Sequence, residues 1–226
     1  MTSQLYNTSE RHPRSKQLML IAALLLTPAL TLAAETPNPN YVYFSAGDTP
    51  EKWAWVLSDP DNWWQPLAGN DGQSAQKKIR IVPTSFQSEN DAVNIQWSKN
   101  SSWGSAAISG REIDLSGYEN AAELSVALKV KKRSKSEVKL AMNCGENCGG
   151  EVQIGHILNK APLDQWFLLP VPLNCLSQSG ADLSKIISPF SIGTTGSLEL
   201  EIAEIQVMPL ADGDKGCAQD GQPSAP

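Results

Sequence analysis

The chain reads as an all-β protein, a β-sandwich with one or two short helical turns, on three observations. Leu198, Leu200, Ile202, Ile205 and Val207 are apolar against Glu199, Glu201, Glu204 and Gln206. Over 198–202 that is the period of a half-buried strand, and the glutamates break any 3.6-residue spacing. The Ala203-Glu204 pair then shifts the apolar set by one residue, which fits a bulge or a strand passing between faces. Second, about ten short apolar or alternating runs follow one another with turn residues between them. Third, no stretch carries a long helical pattern, so the runs must bury their faces against one another in two layers.

Residues 41–46 are the first strand candidate, with Tyr41 and Tyr43 on alternate positions. In 53–57, Trp53 and Trp55 share one face. Residues 58–73, SDPDNWWQPLAGNDGQ, have turn chemistry throughout and read as a long loop carrying Trp63 and Trp64. Strands are expected again over 77–82 and 92–98; in the second, Val93, Ile95 and Trp97 alternate with Asn94 and Gln96. A turn over 100–104 holds Trp103, the strand resumes over 106–109, and 114–118 turns once more. Residues 124–130 alternate, and the lysine-rich 129–135 reads as a solvated hairpin end leading into 138–142. Residues 152–159 suit one or two helical turns, and 166–173 a further strand. Asp182 is placed to cap a short turn running to Ile187.

The sandwich is assigned to 41–210. Ahead of it, Arg11, Arg14 and Lys16 precede an apolar run over 18–33 that contains Pro28 and ends in Thr31-Leu32-Ala33. That is the layout of a signal peptide over 1–33, and the run falls short of the roughly 20 residues a membrane span needs. Residues 34–40, AETPNPN, read as a short disordered leader. Without Arg11, Arg14, Lys16 and Glu10, the 18 Lys+Arg and 24 Asp+Glu fall to 15 and 23, a net charge of −8. An acidic chain of this kind argues against nucleic acid or anionic lipid as a bulk-charge partner. The expectation is an exported protein, periplasmic or secreted, with no stable membrane insertion after cleavage.

All four cysteines, Cys144, Cys148, Cys175 and Cys217, lie beyond residue 33. An even count in an exported chain implies two disulfides, and three pairings satisfy the sequence. The favoured one joins Cys144 to Cys148 around a tight Gly-Glu-Asn turn. Cys175 to Cys217 then pins the tail, 211–226, back onto the sheet. The spacing fits neither a zinc pair nor a two-residue redox motif.

A series of motifs runs through the second half of the chain. Ile113-Asp114-Leu115-Ser116 precedes Met142-Asn143-Cys144-Gly145 and Cys148-Gly149-Gly150. Trp166 and Val171-Pro172-Leu173-Asn174-Cys175 come next, and then Gly180-Ala181-Asp182-Leu183. Pro189-Phe190 and Thr195-Gly196-Ser197-Leu198-Glu199-Leu200 close the series. In order and spacing it resembles the ExoP-type galactose-binding-like domain, the C-terminal module of bacterial exo-β-glucanases and β-glucosidases of glycoside hydrolase family 3. The resemblance is best over 91–217 and weaker over 41–90. It implies a jelly-roll sandwich of the kind used by carbohydrate-binding modules. In those enzymes the module follows a catalytic barrel and a second domain. The 193 residues after the signal peptide hold neither, so the resemblance does not bring hydrolase activity with it.

The residue inventory agrees. His156, alone beyond residue 33, sits beside Ile154, Ile157 and Leu158, and no nucleophile elbow accompanies it. A glycosidase needs two carboxylates across a cleft, and no pair is marked out; Glu199, Glu201 and Glu204 read as the solvent face of a strand. Asp59, Asp61 and Asp71 read as solvated loop carboxylates without an EF-hand pattern, so no cofactor is expected, and a structural calcium would find only these. Binding fits better, because sugars stack their C–H faces on flat aromatic rings and take hydrogen bonds at their hydroxyls. Of the seven tryptophans, Trp97 and Trp166 are assigned to the core, and Trp53 and Trp55 suit either role. Trp63, Trp64 and Trp103 are the candidate platform, with Asp61, Asn62 and Asn100 as polar partners. The reading is a carbohydrate-binding module for a β-glucan or other polysaccharide. The alternative is a structural or protein-interaction domain without a sugar site.

Overall fold

Alternating segments become strands wherever their apolar beat meets another sheet, and the register settles which side of each strand that is. The structure, a computed structural model, describes residues 38 and 40–217. The expected signal peptide, most of the 34–40 leader and residues 218–226 lie outside the described residues. In chain order the strands are β1 Val42–Phe44, β2 Trp53–Asp59, β3 Asn62–Pro66, β4 Gly72–Gln73, β5 Ile79–Thr84, β6 Ala92–Trp97 and β7 Gly104–Gly110. They continue with β8 Ala122–Lys132, β9 Val138–Gly145, β10 Cys148–Gln153, β11 Trp166–Pro172, β12 Ser188–Thr194 and β13 Leu198–Pro209. Two short helices, α1 Gly155–Lys160 and α2 Leu173–Gln178, lie between β10 and β11 and directly after β11. Among the described residues no helix is long and apolar enough to cross a membrane.

The strands form two antiparallel sheets. One has the order β11-β8-β13-β6-β5-β4, with β1 also paired to β13; the other has the order β10-β9-β12-β7-β2-β3. β13 is shared most. β8 pairs with it from Glu199 to Pro209, β6 takes Leu198 to Ile202 of its other edge, and β1 takes Ile205 and Gln206. The register shifts between Ile202 and Glu204, so the bulge read at Ala203-Glu204 is present where the apolar set changes parity. The inner faces form the core: Val126, Leu128, Ile95, Leu200 and Ile202 from one sheet meet Trp55, Leu57, Ile108, Phe190 and Leu140 from the other. Trp53 and Trp55 both belong to it, and Trp55 meets Phe44 and Phe190 edge-to-face. Trp97 is buried as expected, its indole N–H donating to the Gly104 carbonyl at 3.0 Å.

Several local expectations are corrected. Residues 58–73 are not one loop: a tight turn after Asp59 starts β3, so Trp63 and Trp64 lie on an edge strand. The solvated turn expected over 129–135 begins later, because β8 runs to Lys132 and the Lys131 ammonium pairs with Asp164. The helical turn expected from Val152 starts only at Gly155, since Val152 pairs with Leu140 in the sheet. Trp166 is half-buried on the outer face, where Phe86 packs edge-on at 4.6 Å and the Lys129 ammonium lies 4.6 Å from the ring. Alternation gave its period but not the side to which it points.

The Glu199, Glu201, Glu204 row is likewise not a bare solvent face. Glu201 is only 8% exposed and ion-pairs with Lys129, while Glu199 accepts from the Asn94 and Gln96 amides. β13 lies in the interior of its sheet, so its outward side chains are hemmed in by those of β8 and β6. Asp182 does cap a short turn, accepting from the Ser184 N–H ahead of a 3-10 turn over Leu183–Lys185.

Both disulfides have the favoured pairing, Cys144–Cys148 within the β9–β10 hairpin and Cys175–Cys217 between α2 and the tail. Their chain separations of 4 and 42 residues predict unequal contributions. Loop-closure entropy assigns about 2 kcal/mol to the short one and about 4 kcal/mol to the long one. In urea unfolding, Cys175→Ala with Cys217→Ala should therefore cost about twice what Cys144→Ala with Cys148→Ala costs.

Candidate functional site

The site is built on the hairpin of β2 and β3. Asp59 is fully buried, and its Oδ1 accepts the N–H groups of Asp61 (3.1 Å) and Asn62 (3.2 Å) while Oδ2 accepts that of Gln76 (2.6 Å). One carboxylate thus closes the turn and ties it to the segment before β5. Leu57 then pairs with Gln65 and Asp59 with Asn62. Ser58 alone faces two residues, Trp63 and Trp64, which is a β-bulge. Since Leu57 and Asp59 point into the protein, Ser58 points out, and the bulge turns both indoles to Ser58's side. They are 62% and 55% exposed. The Ser58 hydroxyl donates to the Trp63 carbonyl at 2.8 Å, and the Trp64 N–H donates to Asn62 Oδ1 at 3.0 Å.

A row of outward residues runs from these indoles across the six-stranded sheet. Ser58 pairs with Ser105, Ser105 with Gly193, Gly193 with Lys139 and Lys139 with Gln153. The neighbouring row is Pro66, Val56, Ala107, Ser191, Ala141 and Glu151. Small side chains make the floor. Trp103 lies on it: a Cβ on Gly193 would come within 2.3 Å of the Trp103 ring, so only glycine admits the indole there. Three strand spacings of about 4.8 Å put Gly193 of β12, over which the Trp103 ring lies, about 14 Å from the Trp63-Trp64 edge. Beyond Trp103 this face ends in the Lys139–Glu151 ion pair and Gln153.

Of the residues singled out from sequence, Trp63, Trp64 and Trp103 therefore share one face. Asp61 and Asn62 form the adjoining hairpin turn, where Asp61 Oδ1 accepts from the Gln76 amide at 2.7 Å. Asn100 serves its own loop: its Oδ1 accepts from the Ser102 hydroxyl and its carbonyl from Lys78. Sequence reading missed the floor, Ser58, Ser105, Ala107, Ser191 and Gly193, and the far border, Lys139, Glu151 and Gln153. The available signal was the run of small residues on every second position of 105–109, Ser105, Ala107 and Ser109. Among the described residues, no group of three or more His, Cys, Asp or Glu side chains is arranged to hold a metal ion.

A groove of about 880 Å³ lies elsewhere, between α1 and the edge strand β11. Ile157, Pro162, Leu168 and Pro170 dominate it, with Glu123 and Asp214 among the lining residues. Burial pushes the Glu123 carboxyl above its ordinary range, and the Asp214 charge adds to that. His156 also borders the groove, but among the described residues no serine, threonine or cysteine lines it beside that histidine.

The family model for the galactose-binding domain-like module at the ExoP C-terminus matches residues 51–207. The chain belongs to that family. The extra C-terminal domain X of the exo-1,3/1,4-β-glucanase ExoP from a Pseudoalteromonas species superposes with a TM-score of 0.63 at 16% identity, covering 79% of this chain and 99% of that domain. Against the longer ExoP structure the TM-score is 0.65 at 18% identity, over 82% of this chain, which spans only 23% of that protein. The family 30 carbohydrate-binding module of the cellulosomal cellulase Cel9D-Cel44B of Clostridium thermocellum gives 0.54 at 11% identity, with 76% and 98% covered. The family 11 module of the same organism, in complex with a β-1,3-1,4-mixed-linked tetrasaccharide, gives 0.50 at 12%, with 74% and 95% covered. At these identities the likeness is one of fold, the jelly-roll sandwich. No curated protein matches the chain.

Asp59 supports a test of how the platform is held. Burial alone would raise its pKa, but the N–H groups of Gln76, Asn62 and Asp61 and the Ser74 hydroxyl outweigh that and keep it below its ordinary value of 3.8. A depressed folded pKa means stability that is present above the unfolded value and lost as pH falls through the folded one. Asp59→Asn should cost about 1–3 kcal/mol at neutral pH. Its Tm should also fall less than the parent's on acidification from about pH 5 to about pH 2. Equal acid sensitivity would place the acid-labile group elsewhere.

Proposed function

We propose that this protein is an exported, non-catalytic carbohydrate-binding module that takes a β-glucan or related polysaccharide chain along the outer face of its six-stranded sheet. The carrying observation is the pair of exposed indoles, Trp63 and Trp64, on the same face as Trp103 above a floor of small residues. Flat rings at the edge and middle of this face offer stacking surfaces to successive sugar rings. Lys139, Glu151 and Gln153 offer donors and acceptors for hydroxyls on the far side. The family 11 module with its bound tetrasaccharide shares this fold. Two disulfides suit an oxidising compartment, periplasm or medium.

One observation favours a second reading. Glu123 and Asp214 share the large groove, and Glu123 is pushed towards the protonated form a general acid needs. Its walls of Ile157, Pro162, Leu168 and Pro170, however, are apolar, which suits a hydroxyl-rich chain less well than the outer face of the six-stranded sheet. Release of reducing ends from a mixed-linked glucan, lost in Glu123→Gln, would put the hydrolase reading first.

Affinity electrophoresis against a panel of β-glucans should retard the protein. Each of Trp63→Ala, Trp64→Ala and Trp103→Ala should weaken binding about fivefold, from about 1 kcal/mol per aromatic contact. The triple variant should run freely while keeping its Tm. Gly193→Val, which forces Trp103 off the floor, should match Trp103→Ala. No retardation on any polysaccharide would put the interaction-domain reading ahead.

A further inference from the structure

Lys78 is fully buried, and none of the ion pairs among the described residues includes it. Its ammonium instead meets four backbone carbonyls: Ser98 at 3.0 Å, Asn100 at 2.8 Å, Thr195 at 3.0 Å and Gly196 at 3.0 Å. An ammonium has three N–H donors. Four oxygens converging at nearly equal distance on one nitrogen therefore describe coordination of a cation more than a set of paired hydrogen bonds. The four carbonyls come from two connections, β6–β7 and β12–β13. Both connections are held independently of Lys78's charge: the Ser98 N–H donates to the Lys78 carbonyl at 2.8 Å, and the Gly196 N–H donates to Thr194 Oγ1 at 2.9 Å. Gly104 leaves room for the lysine stem, since a Cβ there would lie 2.4 Å from Lys78 Cγ.

We infer that these four carbonyls form a binding site for a small monovalent cation, and that in this chain the Lys78 ammonium is its tethered occupant. Two features set the class of ion. All four oxygens are neutral carbonyls with no carboxylate among them, which leaves a divalent charge uncompensated. Their spacing around the centre is also wider than the 2.3–2.6 Å shell calcium requires, whereas rings of backbone carbonyls suit potassium. The cage works by drawing together two loop ends whose carbonyl dipoles would otherwise repel one another. It lies beneath the start of β7, directly after Trp103. The inference itself does not depend on the carbohydrate reading.

The test uses the full chain with Lys78→Ala and Lys78→Met, each refolded from urea into potassium, ammonium, calcium or tetramethylammonium chloride at equal ionic strength. In tetramethylammonium, Lys78→Ala should melt on the order of 10 °C below the parent, because the carbonyls lose a charged donor and the buried lysine stem leaves a void. Potassium and ammonium should each recover about half of that loss, in a saturable, concentration-dependent manner. Calcium should do no better than potassium. The parent should not respond, and Lys78→Met, whose stem fills the approach to the cage without a charge, should stay low in every salt. Failure of Lys78→Ala to refold in potassium or ammonium, equal Tm values in all four salts, recovery by calcium alone, or a Lys78→Met as stable as the parent would each overturn the assignment.

Discussion

β13 has neighbours along both edges, and the rest of the sandwich is arranged around satisfying it. β8 covers one edge from end to end, while β6 and β1 divide the other on either side of the bulge. Its inner face carries Leu198, Leu200, Ile202 and Ile205 into the core, so a slip of one residue would turn that set outwards and bring glutamates in. The outer face is no freer, because Glu199 and Glu201 are engaged by Asn94, Gln96 and Lys129. Hydrophobic burial on one side and charge pairing on the other thus select the same register. Once β13 is set, so are its partners, and the second sheet packs against the face they present.

The same local device, a bulge, serves two ends. In β13 it lets one strand change parity and pair with two different neighbours. In β3 it sits on an edge strand, where it re-aims two consecutive side chains that alternation would have sent to opposite faces. It also interrupts an edge that would otherwise offer an unbroken row of hydrogen-bonding groups to another chain. The outer faces of the two sheets diverge accordingly. One is closed by its own charges and by Phe86 over Trp166; the other is a floor of serine, alanine and glycine flanked by bare indoles.

What could be read in advance follows the range of the forces involved. The strands with clean alternation, 92–97 and 198–202, were legible because the pattern is local and the core is their one apolar destination. The Asp182 cap was legible for the same reason, since its hydrogen bond reaches only two residues on. Trp63 and Trp64 were legible as exposed aromatics but not as a strand. What makes them one is Asp59 reaching Gln76, 17 residues away, and no local pattern carries that. Trp166 was misread because alternation says that a residue faces one side without saying that Phe86 will fold over the other.

Composition, turn chemistry and apolar periodicity determined from the sequence alone that this is an all-β sandwich with two disulfides, and the ordered motifs determined its family. Each of these is a property of neighbours along the chain or of the inventory as a whole. The tertiary structure alone decided that three tryptophans share a face, that Ser58, Ser105 and Gly193 lie in one row beneath them, and that Lys78 is surrounded by carbonyls from distant loops. Those groupings arise from sheet register and from the closing of the two layers. Residues separated by a hundred positions meet there because their strands pair, and no spacing within the chain encodes it.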